Sequence, residues 1–348
     1  MIFQRLKLAG LLCCLLYSTA SGWPVDDKSS DRPILASERK KVEKLISQAA
    51  AYESLKNDSC IVLAKEALHL ARAYNATVLE AKALNIIGNF YFDTERYQES
   101  LIHFNKLLGL YTQTGDSSAK AECYNLIGLA NYNLGIYNEA IRSYHNAMQI
   151  ASALNETAIV AKCSQNIGVL YAEMKRPDEA MNYYKKALDL HRILKDRSAE
   201  AGVMQNIGNI YEDEKRSKDA LGYYLSALRI YVSLRDSDSM ANIYLSLGSL
   251  YEDQADYKKS LDYYNKSLEI FNKEKSQFGI AYAYISLGSV YYKKGELEKA
   301  KTFLQRSLYY SRKISLLENE ADCHRLLADV YYGLRDYVSA YAEKKEYE

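Results

Sequence analysis

Six glycines, Gly88, Gly128, Gly168, Gly208, Gly248 and Gly288, recur every 40 residues, and Ala328 stands where a seventh would fall. Such a chain cannot fold around one closed core. Each period must be the same supersecondary unit, burying its apolar face against its neighbours. Stacked units of this kind present an extended surface for holding a partner and seldom build a catalytic pocket.

The same residue types return around each glycine. One position before it stand Ile87, Ile127, Ile167, Ile207, Leu247, Leu287 and Leu327; three after it stand Tyr91, Tyr171, Tyr211, Tyr251, Tyr291 and Tyr331, with Asn131 as the exception. Twelve after comes a small residue (Ser100, Ala140, Ala180, Ala220, Ser260, Ala300, Ala340), and sixteen after an aromatic (Phe104, Tyr144, Tyr184, Tyr224, Tyr264) that becomes Leu304 in the sixth unit. Apolar residues at i, i+3, i+4 and i+7 mark one buried helical face, and every period holds two such runs parted by a short polar turn. Each unit is therefore a helical hairpin, the first with helices over about 78–93 and about 97–113.

A glycine in mid-helix costs about 1 kcal/mol against alanine. Its recurrence requires a close approach by the paired helix, for which the small residue twelve positions later is the expected meeting surface. Ala328 implies looser packing in the last unit. The 33 tyrosines fall mostly on inward hairpin positions, where a ring fills space and its hydroxyl reaches an edge.

At these residues the chain resembles the tetratricopeptide repeat family, whose pattern is Leu-Gly, Tyr, Ala, Phe and a closing Pro. The resemblance covers 81–348 in seven units, the last incomplete, and implies an all-α, right-handed superhelical solenoid. Two departures stand out. The family's Trp four before the glycine is here Leu84, Tyr124, Ser164, Met204, Tyr244, Tyr284 and His324, and its closing Pro is replaced by Thr112, Ser152, Arg192, Val232, Asn272 and Arg312. Without that Pro the second helix can run on, which accommodates the longer period. A HEAT-type array shares the period but leaves the Gly, Tyr and Ala constellation unexplained.

Residues 1–22 carry Arg5 and Lys7, an apolar stretch Leu8–Tyr17, and then Ser18, Thr19, Ala20, Ser21 and Gly22. This is the pattern of a secretory signal peptide, too short in its apolar core to span a bilayer. Export to a periplasm or the outside is the resulting expectation, with no membrane span remaining after cleavage. Residues 23–37, with Pro24 and Pro33, read as a linker. Residues 38–80 read as a degenerate capping hairpin, since a stacked array needs an atypical terminal unit to shield its first face.

Removing Arg5 and Lys7 leaves 43 basic against 44 acidic residues, a balance that recruits neither nucleic acid nor membrane. Cys60, Cys123, Cys163 and Cys323 remain. Cys123 and Cys163 occupy equivalent sites on neighbouring first helices, whose axes about 8–10 Å apart suit a disulfide poorly, so buried thiols are expected. The histidines His69, His103, His145, His191 and His324 fall at five different places in the unit, with no metal-binding spacing. No phosphate loop or nucleophile elbow is present. The reading is of a non-enzyme with no metal and no cofactor.

What remains is the groove. At about 100° per residue, the positions six and three before the glycine and one, four and five after it share one arc, which lines the concave surface in tetratricopeptide arrays. An amide series, Asn85, Asn125, Gln165 and Gln205, occupies one equivalent site in four successive units, with Asn89, Asn209, Tyr132 and Tyr292 on the same arc. Amides both donate and accept, so such a series can pair with the backbone of an extended peptide. An acidic run, Glu173, Glu212, Asp213, Glu252 and Asp253, would favour a basic segment; a solvated helix face accounts for it as well. Some family members clamp a partner's C-terminal carboxylate, but this chain keeps only fragments such as Lys162 with Asn166.

The chain thus reads as an exported scaffold that binds a protein or peptide, possessing an acidic mid-groove suited to a basic extended segment. The alternative is the periplasmic sensory region of a signalling receptor, a histidine kinase or membrane-anchored transcriptional regulator, because exported arrays of this type resemble such regions.

Overall fold

The computed structural model describes residues 36–53 and 58–347. The expected signal peptide and the linker up to residue 35 lie outside the described residues. Among the described residues there are sixteen helices and no strand: α1 Ala36–Glu53, α2 Ser59–Ala73, α3 Thr77–Asp93, α4 Tyr97–Thr114, α5 Ser117–Asn133, α6 Tyr137–Ala153, α7 Thr157–Glu173, α8 Pro177–Leu194, α9 Arg197–Asp213, α10 Ser217–Leu234, α11 Ser237–Asp253, α12 Tyr257–Glu274, α13 Gln277–Lys293, α14 Leu297–Lys313, α15 Leu317–Gly333 and α16 Tyr337–Tyr347. They divide after Leu194 into two compact units. Within each, every helix packs on the next in sequence. None of the described helices is long and apolar enough to cross a membrane.

The punctuation is backbone-encoded. A left-handed residue recurs every 20 positions from Asn75 to Arg335, and only Gly115, Gly135 and Gly295 of these are glycine. At Lys215, with φ of 61°, the chain closes a Schellman motif: Arg216 N–H donates to Tyr211 C=O at 2.8 Å and Lys215 N–H to Glu212 C=O at 2.9 Å. Entry into a first helix is capped by a side chain where Asp or Ser precedes it, as when Asp196 accepts from Ala199 N–H at 3.1 Å. The positions lacking the family's closing Pro all lie inside second helices, so those helices do run on, to 17 or 18 residues where complete.

The six recurring glycines are buried, and their contact differs from the sequence expectation. A Cβ on Gly208 would lie 2.6 Å from Cε1 of Tyr224, and one on Gly88 2.5 Å from Cε1 of Phe104. The glycine thus faces the aromatic sixteen residues on, rather than the small residue twelve on. The two are one turn apart on the second helix and both point inward, but only the ring is long enough to reach across. In the sixth hairpin Leu304 takes that place, 2.7 Å from a Cβ on Gly288. Ala328 is only half-buried.

A second aromatic layer lies outside the first. Tyr171 stacks on Tyr183 at 5.6 Å and Tyr251 on Tyr263 at 5.6 Å, while the Arg176 guanidinium sits 4.7 Å from the Tyr171 centroid. The repeated tyrosine three after the glycine is therefore a packing element carrying a cation on its outer face.

Candidate functional site in the seams between first helices

The expected groove residues lie on first helices, and the side chains of Asn125, Tyr132, Glu173, Glu212 and Glu252 bond across to a neighbouring first helix of the same compact unit. In the N-terminal unit, α3, α5 and α7 carry them. Asn166 Nδ2 donates to Asn125 Oδ1 at 3.2 Å across the α5–α7 seam, Lys162 Nζ reaches Glu122 Oε1 at 3.5 Å, and the Tyr132 hydroxyl donates to Glu173. In the C-terminal unit, Ser249 Oγ of α11 donates to Glu212 Oε1 of α9 at 2.8 Å, and Ser289 Oγ of α13 to Glu252 Oε1 of α11 at 2.8 Å.

This flanking changes the exposure expected from the arc of one helix. Asn125, Gln165, Gln205 and Asn209 are buried, Asn85, Asn89, Tyr132, Glu173 and Tyr292 are half-buried, and Asp213 and Asp253 are exposed. Glu212 and Glu252, expected to face solvent in the groove, are 5% and 4% exposed. Both carboxylates are internal struts. The Tyr224 hydroxyl donates to Glu212 Oε2 at 2.5 Å and lies 2.7 Å from Asn209 Oδ1; the Tyr264 hydroxyl donates to Glu252 Oε2 at 2.8 Å, and Lys293 Nζ pairs with Glu252 Oε1 at 2.8 Å. Burial first, and then the adjacent carboxylate, push the Tyr224 and Tyr264 phenols far above their ordinary range, so they stay donors. Each strut joins the aromatic under one glycine to the first helix of the following hairpin. Of the exposed pair, Asp253 accepts from Lys215 Nζ at 2.9 Å. The continuous acidic mid-groove is therefore not formed.

Asn166, which the expected site left out, belongs to the α5–α7 seam, and Asn206 on α9 is buried as well. Asn166 Oδ1 and Asn206 Nδ2 have no hydrogen-bond partner. Both stand two before the glycine, where Ile86, Leu126 and Leu326 are apolar and Asn166, Asn206, Ser246 and Ser286 are polar. That change of character within an inward position was the available signal.

The four described cysteines are free and buried. Burial pushes the Cys123 and Cys323 thiols up to about 12 and Cys163 higher still, favouring the neutral thiol. Among the described residues no three His, Cys, Asp or Glu side chains converge to hold a metal ion. The buried His324 is engaged structurally, its Nδ1 lying 2.5 Å from Glu343 of α16 and its Nε2 3.7 Å from Glu320.

The tetratricopeptide repeat family matches residues 81–114, 124–193, 200–273 and 281–314. A comparison with curated protein sequences found no match. Among solved structures, the chain is similar to the apo form of the quorum sensor NprR from B. thuringiensis, with a TM-score of 0.70 and 17% identity over 90% of this chain and 87% of that one. It is similar to aspartyl phosphate phosphatase F from Bacillus subtilis, with a TM-score of 0.65 and 16% identity over 82% of this chain and 74% of that one. A third is the Rap conjugation gene regulator of the plasmid pLS20 in complex with the Phr* peptide, with a TM-score of 0.59 and 14% identity over 88% of this chain and 96% of that one. At these identities the likeness is one of fold, an all-α helical solenoid.

Proposed function

Since this chain belongs to the tetratricopeptide repeat family, we propose that it is a scaffold that binds an extended peptide or protein segment along its first-helix seams and catalyses no reaction. The observation that carries this reading is the row of half-buried polar side chains on first helices of the N-terminal unit, Asn85 and Asn89 on α3, Tyr132 on α5 and Glu173 on α7. A peptide backbone supplies both the donors and the acceptors that such side chains can pair with. The similar Rap conjugation gene regulator, solved in complex with the Phr* peptide, supports the same class of ligand.

The reading includes export to a periplasm or the outside, supported by the charged start, apolar stretch and small-residue end of residues 1–22. A preference for basic segments rests on Glu173, because Glu212 and Glu252 are engaged inside the fold and Asp253 accepts from Lys215. The alternative, a sensory region of a signalling receptor, gains support from the quorum sensor among the similar structures.

The test is selection from a displayed library of random peptides, followed by calorimetric titration of the selected peptide against the parent, Asn85→Ala and Asn89→Ala. Each variant should bind at least about fivefold more weakly, with a denaturation midpoint close to the parent's, because both side chains are only half-buried. Absence of any enriched peptide, or unchanged affinity in both variants, would overturn the proposal.

A further inference from the structure

The Glu173 carboxylate at the C-terminal end of α7 accepts a hydrogen bond from the Tyr132 hydroxyl at the end of α5, and the Tyr137 phenol at the start of α6 acts on the same carboxylate. The two rings stack with centroids 6.2 Å apart and an interplanar angle of 26°. All three side chains are half-buried, so the cluster is reachable from solvent. It lies wholly within the N-terminal compact unit.

Its charge balance separates it from the other seam carboxylates. Glu252 has Lys293 Nζ at 2.8 Å and Glu122 has Lys162 Nζ at 3.5 Å, each from the following first helix. Glu173 accepts from the Tyr132 phenol, and Lys175 acts on it through space. The chain repeats the aromatic pair elsewhere without the acid: Phe92 with Tyr97 is followed by Asn133 at the position equivalent to Glu173, and Glu212 and Glu252 stand where an aromatic would begin the pair in two later hairpins. Tyr332 and Tyr337 form a further such pair, with centroids 5.4 Å apart; among the described hairpins, the pair meets a carboxylate of the following first helix at Glu173.

We propose that Tyr132, Tyr137 and Glu173 form a subsite for the guanidinium or ammonium group of a basic side chain presented by the bound segment. The proposal rests on the peptide-binding reading and deepens it. The chemistry is additive: a cation over a tyrosine face is attracted by the ring quadrupole, and a half-desolvated carboxylate beside it supplies the opposite charge. A guanidinium suits the arrangement best, since its plane can lie on a ring while its edge donates to the carboxylate. The Tyr132 phenol donates to the carboxylate and leaves its charge in place. Burial already holds the Glu173 carboxyl above its ordinary range. A bound cation must draw it back down, which gives a readout independent of affinity.

The experiment uses the full chain with carboxyl-labelled glutamate, titrated by NMR with Nα-acetyl-arginine amide, Nα-acetyl-lysine amide and the neutral Nα-acetyl-citrulline amide. The Glu173 signal should respond to arginine or lysine amide, its pKa should fall on saturation, and citrulline amide should bind at least about tenfold more weakly. Glu173→Gln keeps an acceptor for the phenols and should lower arginine amide affinity at least about tenfold. Equal binding of citrulline and arginine amides, or no response at Glu173 in the parent, would overturn the subsite. If selected peptides bind the seams yet carry no basic residue and ignore Glu173→Gln, the subsite fails while the peptide-binding reading stands. If arginine amide binds at Glu173 but no peptide is ever selected, the subsite stands and that reading fails.

Discussion

Replacing Gly208 by alanine tests the packing rule that builds every hairpin. On an exposed helix this change would stabilise by about 1 kcal/mol, through helix propensity alone. Here the new Cβ would lie 2.6 Å from Tyr224 Cε1 and 2.7 Å from Cδ1, about 1 Å short of an ordinary carbon–carbon contact. The ring is fully buried and its hydroxyl is tethered to Glu212 Oε2 at 2.5 Å. It cannot withdraw without straining that bond. Overpacking costs about 1–3 kcal/mol, and loss of a hydrogen bond to a charged group about 1.5–3 kcal/mol. Less the propensity gain, a net destabilisation of about 1.5–5 kcal/mol follows, read from urea denaturation midpoints. Repeating Gly208→Ala in a Tyr224→Ala background should abolish the penalty and leave the propensity gain, since the colliding ring is gone. A Gly208→Ala variant more stable than the parent, or one equally destabilised in both backgrounds, would refute the reasoning.

Three further outcomes follow from the same structure. Ala255 holds φ of 57°; an L-residue pays about 1–2 kcal/mol there and glycine regains part of it as chain entropy, so Ala255→Gly should raise the denaturation free energy by about 0.5–1 kcal/mol. Glu252→Gln removes the charge paired with Lys293 and bonded to Tyr264 and Ser289, and should cost about 1.5–3 kcal/mol; a change within about 0.5 kcal/mol would restore the solvated-face reading. Helix α16 has 11 residues with only Ala340 of them buried, and its amides should exchange faster than those of α10 despite the His324–Glu343 contact. Equal protection of the two helices would contradict that.

The hairpins were legible because their determinants are local and repeated. Spacing alone placed the first repeat's helices within a residue or so of Thr77–Asp93 and Tyr97–Thr114. The error about Gly208's partner came from matching small to small, when Tyr224 and Ala220 share an inward face and only the longer side chain reaches the glycine. The site was less legible for a physical reason. Arc positions on one isolated helix cannot show that the next first helix covers them, which is how Glu212 and Glu252 became struts. Glu173, one position further along the arc, remains half-exposed. The left-handed turns were also invisible, because eleven of them use residues other than glycine.

The account's central claim is that a partner lies along the first helices. A benzophenone amino acid placed singly at Asn89 on α3 or at Ile102 on α4 puts a photocrosslinker on each helix of one hairpin, the second site being 53% exposed. With a peptide selected by the whole chain, irradiation should yield a crosslinked product from position 89 and none from position 102. Crosslinking from position 102 without any from position 89 would contradict the claim and move the partner to the second-helix face.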